Sequence, residues 1–126
     1  MENNDKNSSK DSRQKSDIDL GLSIDYKSSR LDKTQARKLV TEILNRYPAN
    51  IRFSKHAREE LKKDNLTTDD ALNVLKSPDG RIVKEPDFKN ASYRYTVETS
   101  RIGICVAFDS DTLLVVVTGW RKGDSK

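Results

Sequence analysis

The chain has a single histidine, His56, and it is the side chain best suited to moving a proton near neutral pH. An imidazole can serve as base and then as acid within one reaction cycle. His56 falls in Ser54-Lys55-His56-Ala57-Arg58-Glu59-Glu60-Leu61, where Ser54 is a helix cap and Ala57 and Leu61 lie on one helical face. That places His56 in the first turn of a helix, whose free N–H groups attract phosphate. Lys55 and Arg58 add positive charge beside it. The same pattern also fits a lone surface histidine. Other candidates fail sooner. Cys105 sits mid-strand among apolar residues and reads as a buried thiol rather than a nucleophile. Glu59-Glu60 and Asp69-Asp70 are adjacent on helices, so each pair diverges and fits a solvated face or a cap. The five glycines form no phosphate loop, and one Cys with one His makes no zinc site. No metal and no cofactor are expected.

The elements that must position these groups follow from periodicity. Asp32 with Gln35 forms a capping box ahead of Ala36, Leu39, Val40, Ile43, Leu44 and Tyr47, and Pro48 stops that helix. The His56 helix runs to about Lys63. Thr67 with Asp70 opens a third helix that ends before Pro78. Ser77-Pro78-Asp79-Gly80 is a turn into a short strand around Arg81–Glu85, and residues 86–91 read as a loop. Three strands then alternate or run apolar: Ser92–Thr99, Arg101–Phe108 and Thr112–Trp120. The expected fold is α+β, with three short N-terminal helices packed on one face of a four-stranded antiparallel sheet.

If Tyr93, Tyr95, Ile102, Ile104 and Val106 face the helices, the opposite face collects Arg94, Thr96, Arg101, Gly103, Cys105 and Ala107. Thr118 and Trp120 share one side of the last strand, and Arg121 and Lys122 follow. Both sides of that strand are apolar, so alternation leaves its facing open. A cationic, partly aromatic surface is the footprint of a nucleic-acid binder, although a net charge of +4 is modest.

Composition bounds the rest. The 126 residues allow one domain, and 35% of them are charged against 6% aromatic. Residues 1–30, with seven Ser and six hydrophobic residues, read as a disordered polar arm. Within it Ile18, Leu20, Leu22, Ile24 and Tyr26 alternate, so 18–26 is a candidate docking motif, weakened by Gly21. Residues 31–126 form the domain. No apolar run reaches the roughly 18 residues of a membrane span, and the first residues lack a leader's apolar core. A soluble, cytoplasmic protein is the expectation.

The block Phe53–Leu61, the helix start Thr67-Thr68-Asp69-Asp70-Ala71, and the strand end Val115–Thr118 together resemble a known family. It comprises small bacterial, plasmid and phage proteins carrying a domain of unknown function, with a Lys-His-Ala helix and a closing Val-Thr strand. That family is similar to the RelE-like toxins, which include MqsR and share the barnase–EndoU–colicin–RelE fold. The resemblance spans roughly residues 50–120. It implies the toxin of a type II toxin–antitoxin pair, a metal-independent endoribonuclease with growth-inhibiting activity. Its partners would be RNA, free or on the ribosome, and a cognate antitoxin protein. His56 matches the helix histidine and would be base or acid. Arg94, with Arg58 second, would clamp the phosphate, and Thr118 would bind the phosphate or orient His56. Tyr95 is a further acid–base or stacking candidate, yet the facing above turns it inward. Lys55, Arg58, Arg101, Trp120, Arg121 and Lys122 would contact RNA. Two other readings stand beside this one: a noncatalytic basic module that binds nucleic acid or a partner protein, and a structural accessory protein.

Overall fold

The computed structural model describes residues 24–123. The apolar residues Ile18, Leu20 and Leu22, and with them most of the candidate docking motif, lie outside the described residues. Helix α1 (Lys33–Arg46) starts at the expected capping box. The Gln35 N–H donates to Asp32 Oδ1 at 2.7 Å and the Asp32 N–H to Gln35 Oε1 at 3.1 Å. A 3-10 turn at Pro48–Asn50 leads into strand β1 (Ile51–Phe53). Helix α2 (Lys55–Lys63) is capped by Ser54. Helix α3 (Thr68–Lys76) is capped by Thr67 and Asp70, which exchange backbone and side-chain bonds of 3.0 and 2.8 Å. These bonds hold the Asp70 carboxyl below the usual carboxylate range. Strands β2 (Arg81–Ile82), β3 (Asp87–Lys89), β4 (Ser92–Glu98), β5 (Ile102–Ser110) and β6 (Leu113–Arg121) complete the fold.

The expected sheet of four antiparallel strands is wrong. The chain builds a six-stranded mixed sheet in the order β1-β6-β5-β4-β2, with β3 also paired to β4. β1 runs parallel to β6, placing Phe53 opposite Val116. A parallel pair needs a long crossover, and everything from α2 to β5 supplies it. The helices are not all N-terminal either, because β1 separates α1 from α2. The three missed or misread strands hold only two or three residues each, too few to display a period. The segment 86–91, expected as a loop, is a hairpin whose strand β3 sets Asp87 opposite Arg94.

The core joins Ala36, Val40 and Ile43 of α1, Ala57 and Leu61 of α2, and Ala71 and Leu75 of α3 to alternate residues of the sheet. Those sheet residues are Tyr95, Val97, Ile104, Val106, Phe108, Leu114 and Val116. The segment 25–31 is bonded to this layer. The Lys27 carbonyl accepts the Tyr93 N–H at 2.7 Å, just beyond the last β4–β5 pair, Tyr95 with Val106. The Tyr95 hydroxyl accepts the Leu31 N–H at 2.9 Å. Arg37 of α1 donates to the Gly80 and Ser77 carbonyls at 2.8 and 2.9 Å, tying α1 to the turn that follows α3.

Two turn positions generate stability predictions. A Cβ at Gly80 would lie 2.5 Å from the Val74 carbonyl oxygen. Gly80→Ala is therefore expected to cost about 1–3 kcal/mol through overpacking, read as a lower urea midpoint. Asn90 and Ala91, the tip of the β3–β4 hairpin, both have positive φ, 53° and 64°. Asparagine tolerates that region and alanine does not, at a cost of about 1–2 kcal/mol. Glycine there forfeits about 0.4–1 kcal/mol of unfolded-chain entropy. Relief of the strain wins, so Ala91→Gly should raise the midpoint; a lowered one would show that the hairpin carries no strain.

Candidate functional site: the outward sheet face and the start of α2

Strand alternation, corrected for two register shifts in β5–β6, decides which side chains share the face away from the core. One shift lies between Cys105 and Val106: Cys105 pairs with Thr118 and Val106 with Val116, so Val117 is the extra residue of a bulge. Without the bulge, Thr118 would turn inward. With it, Thr118 joins Cys105 and Thr96 in one outward row. The neighbouring row holds Arg52, Val115 and Ala107, with Arg94 and Asp87 at its far end. Trp120, Gly103, Glu98 and Arg81 form the third.

Arg94 lies half-buried on this face, and its Nε is buried without a hydrogen-bond partner among the described residues. Asp87 stands opposite it across the hairpin, but no ion pair joins the two. Buried donors without partners are rare, so Arg94 is a cation whose coordination the protein leaves unfinished. Beside it, Cys105 is buried. Burial pushes its thiol up, opposed in smaller measure by the Arg94 charge and a hydrogen bond with Thr96. It is a protonated floor residue near neutral pH and a poor nucleophile.

The start of α2 is tied to the same region through one hydroxyl. Ser54 Oγ accepts the Ala57 N–H at 3.0 Å as helix cap and donates to the Val117 carbonyl at 3.2 Å. The Ser54 N–H donates to the Val116 carbonyl at 3.0 Å. The bulge frees a carbonyl from the ladder, and Ser54 satisfies it while capping the helix. His56 follows Ser54 by two residues and Thr118 follows Val117 by one, so both lie close in sequence to this joint. His56, Lys55 and Arg58 are exposed, and none of their side chains makes a hydrogen bond or ion pair among the described residues.

The expected site residues therefore divide. Arg94 and Thr118 share the outward face, with Trp120 on the adjoining row. His56, Lys55 and Arg58 sit at the edge where α2 begins, on the helix that packs over the inner side of β6. Tyr95 does not join them: it is fully buried, its ring 5.3 Å from Phe108, and its hydroxyl is engaged by Leu31 and Ser29. Arg121 and Lys122 are committed to the protein. The Arg121 N–H donates to Asp64 Oδ2 at 2.7 Å and its guanidinium donates to the Asp64 and Asn65 carbonyls, while Lys122 Nζ pairs with Glu98 at 2.8 Å. Arg101 is exposed at the β4–β5 turn. Sequence reasoning missed Arg52 and Lys89, which β1 and β3 bring to the outward face; strands of three residues left no signal for them. Among the described residues, no three His, Cys, Asp or Glu side chains gather as a metal site, and no helix is long and apolar enough to cross a membrane.

The dual bond of Ser54 can be tested by paired substitutions. Ser54→Ala loses the cap and the bond to Val117, and should cost about 1–2 kcal/mol. Aspartate is an equally good cap but cannot donate, and it would set a carboxylate against the Val117 carbonyl. Ser54→Asp should therefore fail to restore the denaturation midpoint, whereas Ser54→Thr should restore most of it. Full recovery with aspartate would reduce Ser54 to a simple cap.

No curated protein and no solved structure matches the chain. The model of the family described as Domain of unknown function (DUF4258) matches residues 53–121, from the last residue of β1 to the last of β6. That stretch covers more than half of the chain and contains Ser54, His56, Arg94 and Thr118, and on this match the protein belongs to the DUF4258 family.

Proposed function

We propose that this protein is the toxin of a type II toxin–antitoxin pair, a metal-independent endoribonuclease of the RelE-like kind, held in check by a cognate antitoxin. The observation that carries the reading is the Arg94 guanidinium, half-buried on a sheet face with an unpartnered Nε and with Thr118 across Cys105. Such a group is suited to a phosphate, which accepts from a planar guanidinium through two oxygens at once. In the proposed reaction the ribose 2′-oxygen attacks the adjacent phosphorus. The new 2′-O–P bond forms as the P–O5′ bond breaks, giving a 2′,3′-cyclic phosphate and a 5′-hydroxyl. His56 takes the 2′-hydroxyl proton or supplies one to the departing 5′-oxygen, and water makes the other transfer. Arg94 compensates the charge of the crowded phosphorane, and Thr118 donates to a phosphate oxygen.

A second reading has its own support. His56 stands on the helix that packs over the inner side of β6, while Arg94 faces outward from β4. A module that binds RNA without cutting it needs only the second of these.

The two readings differ in one experiment, induced expression in a bacterial host of wild type, His56→Ala and Arg94→Ala. The toxin reading expects growth arrest with RNA fragments ending in 2′,3′-cyclic phosphate. It expects His56→Ala to abolish both, and Arg94→Ala, folded by circular dichroism, to cut less by about 100-fold or more. RNA binding without fragments would leave the noncatalytic module. Arrest and fragments unchanged in both variants would remove these two residues from the chemistry.

A further inference from the structure

Trp120 is the chain's single tryptophan, and it is laid on the sheet in a way that needs glycine beneath it. It stands opposite Gly103 on β5. A Cβ at position 103 would come within 2.5 Å of the indole Cζ2 and 2.7 Å of Cε2. The ring therefore rests directly on the Gly103 backbone, and any side chain there would lift it away. It remains partly exposed on the outward face. The acid nearest to it in register, Glu98, is paired with Lys122 at 2.8 Å. The same face carries Arg52, Arg81, Lys89 and Arg94 against Asp87 and Glu98, so its charge is complementary to a polyanion.

A partly exposed aromatic ring on a face that also carries cations offers both things a single-stranded nucleic acid needs: a surface for base stacking and charge for the backbone. A duplex keeps its bases stacked on one another and offers the ring only an edge. We propose that Trp120, seated on Gly103, is the stacking platform for an unpaired base of a single-stranded RNA. This deepens the RNA reading above and rests on it.

Because the chain has one tryptophan, its emission reports on this ring alone. The test titrates the full chain with a 12-nucleotide single-stranded 2′-O-methyl RNA, which lacks the attacking hydroxyl and so is bound without being cut. Binding is followed separately by the anisotropy of an end-labelled copy. The expected result is quenching of Trp120 with the same midpoint as the anisotropy rise, and no quenching by an abasic strand of equal length. Trp120→Leu should weaken binding about tenfold, and Trp120→Phe by less. An anisotropy rise with unchanged emission, or equal affinity for folded Trp120→Leu, would overturn the stacking platform and leave RNA binding intact. No anisotropy change with wild type would overturn both.

Discussion

The hydroxyl of Ser54 is the joint on which the arrangement depends. A β-bulge at Val117 leaves one carbonyl of the last strand outside the ladder, and a helix start leaves its first N–H groups unbonded. Either alone costs free energy when half-buried. One oxygen that both donates and accepts meets the two needs together, at 3.2 and 3.0 Å. The result is geometric as well as energetic. The bulge flips Thr118 outward, and the cap fixes where the histidine-bearing helix leaves the sheet. The position of His56 and the facing of Thr118 are consequences of the same contact.

The outward face is constructed differently from the core. Its floor is made of small or neutral side chains, Gly103, Cys105 and Ala107, and its charges stand around that floor. The inward side chains are buried by helices, whereas on this face Trp120, Arg94 and Thr118 remain partly exposed. Burial without a full set of partners explains why the Arg94 Nε is both shielded and unbonded. The hairpin that brings Asp87 and Lys89 beside it turns at two residues with positive φ, one of them an alanine.

What was legible in the sequence is what local chemistry determines. Asp32 with Gln35, Ser54 with Ala57, and Thr67 with Asp70 announce helix starts because a cap is written within four residues. Alternation in β4 and β5 correctly separated Tyr95 from Arg94, since one neighbour must be buried if the other is not. The parallel pairing of β1 with β6 is illegible for the opposite reason: three residues, Ile51 to Phe53, meet partners more than 60 positions away. The facing of β6 was also beyond reach, because its two sides are equally apolar and the bulge that decides the matter has no sequence signature of its own. The charges contributed by Arg52 and Lys89 were lost along with the short strands that carry them.

The placement of β6 bears on how the domain comes into being. It is the last strand among the described residues yet an interior one in the sheet, bordered by β1 and β5 and overlain by α2. During synthesis several earlier elements emerge before their principal partner exists. β1 has no neighbour, α2 has no surface on which to set Ala57 and Leu61, and the outer edge of β5 stays open. β1, α2 and the outer edge of β5 wait for β6, whereas β2, β3, β4 and α3 can pack on one another and on β5 before it emerges. A chain stalled short of Leu113 would present an unpaired, hydrophobic β5 edge, the kind of surface that chaperones hold and proteases clear.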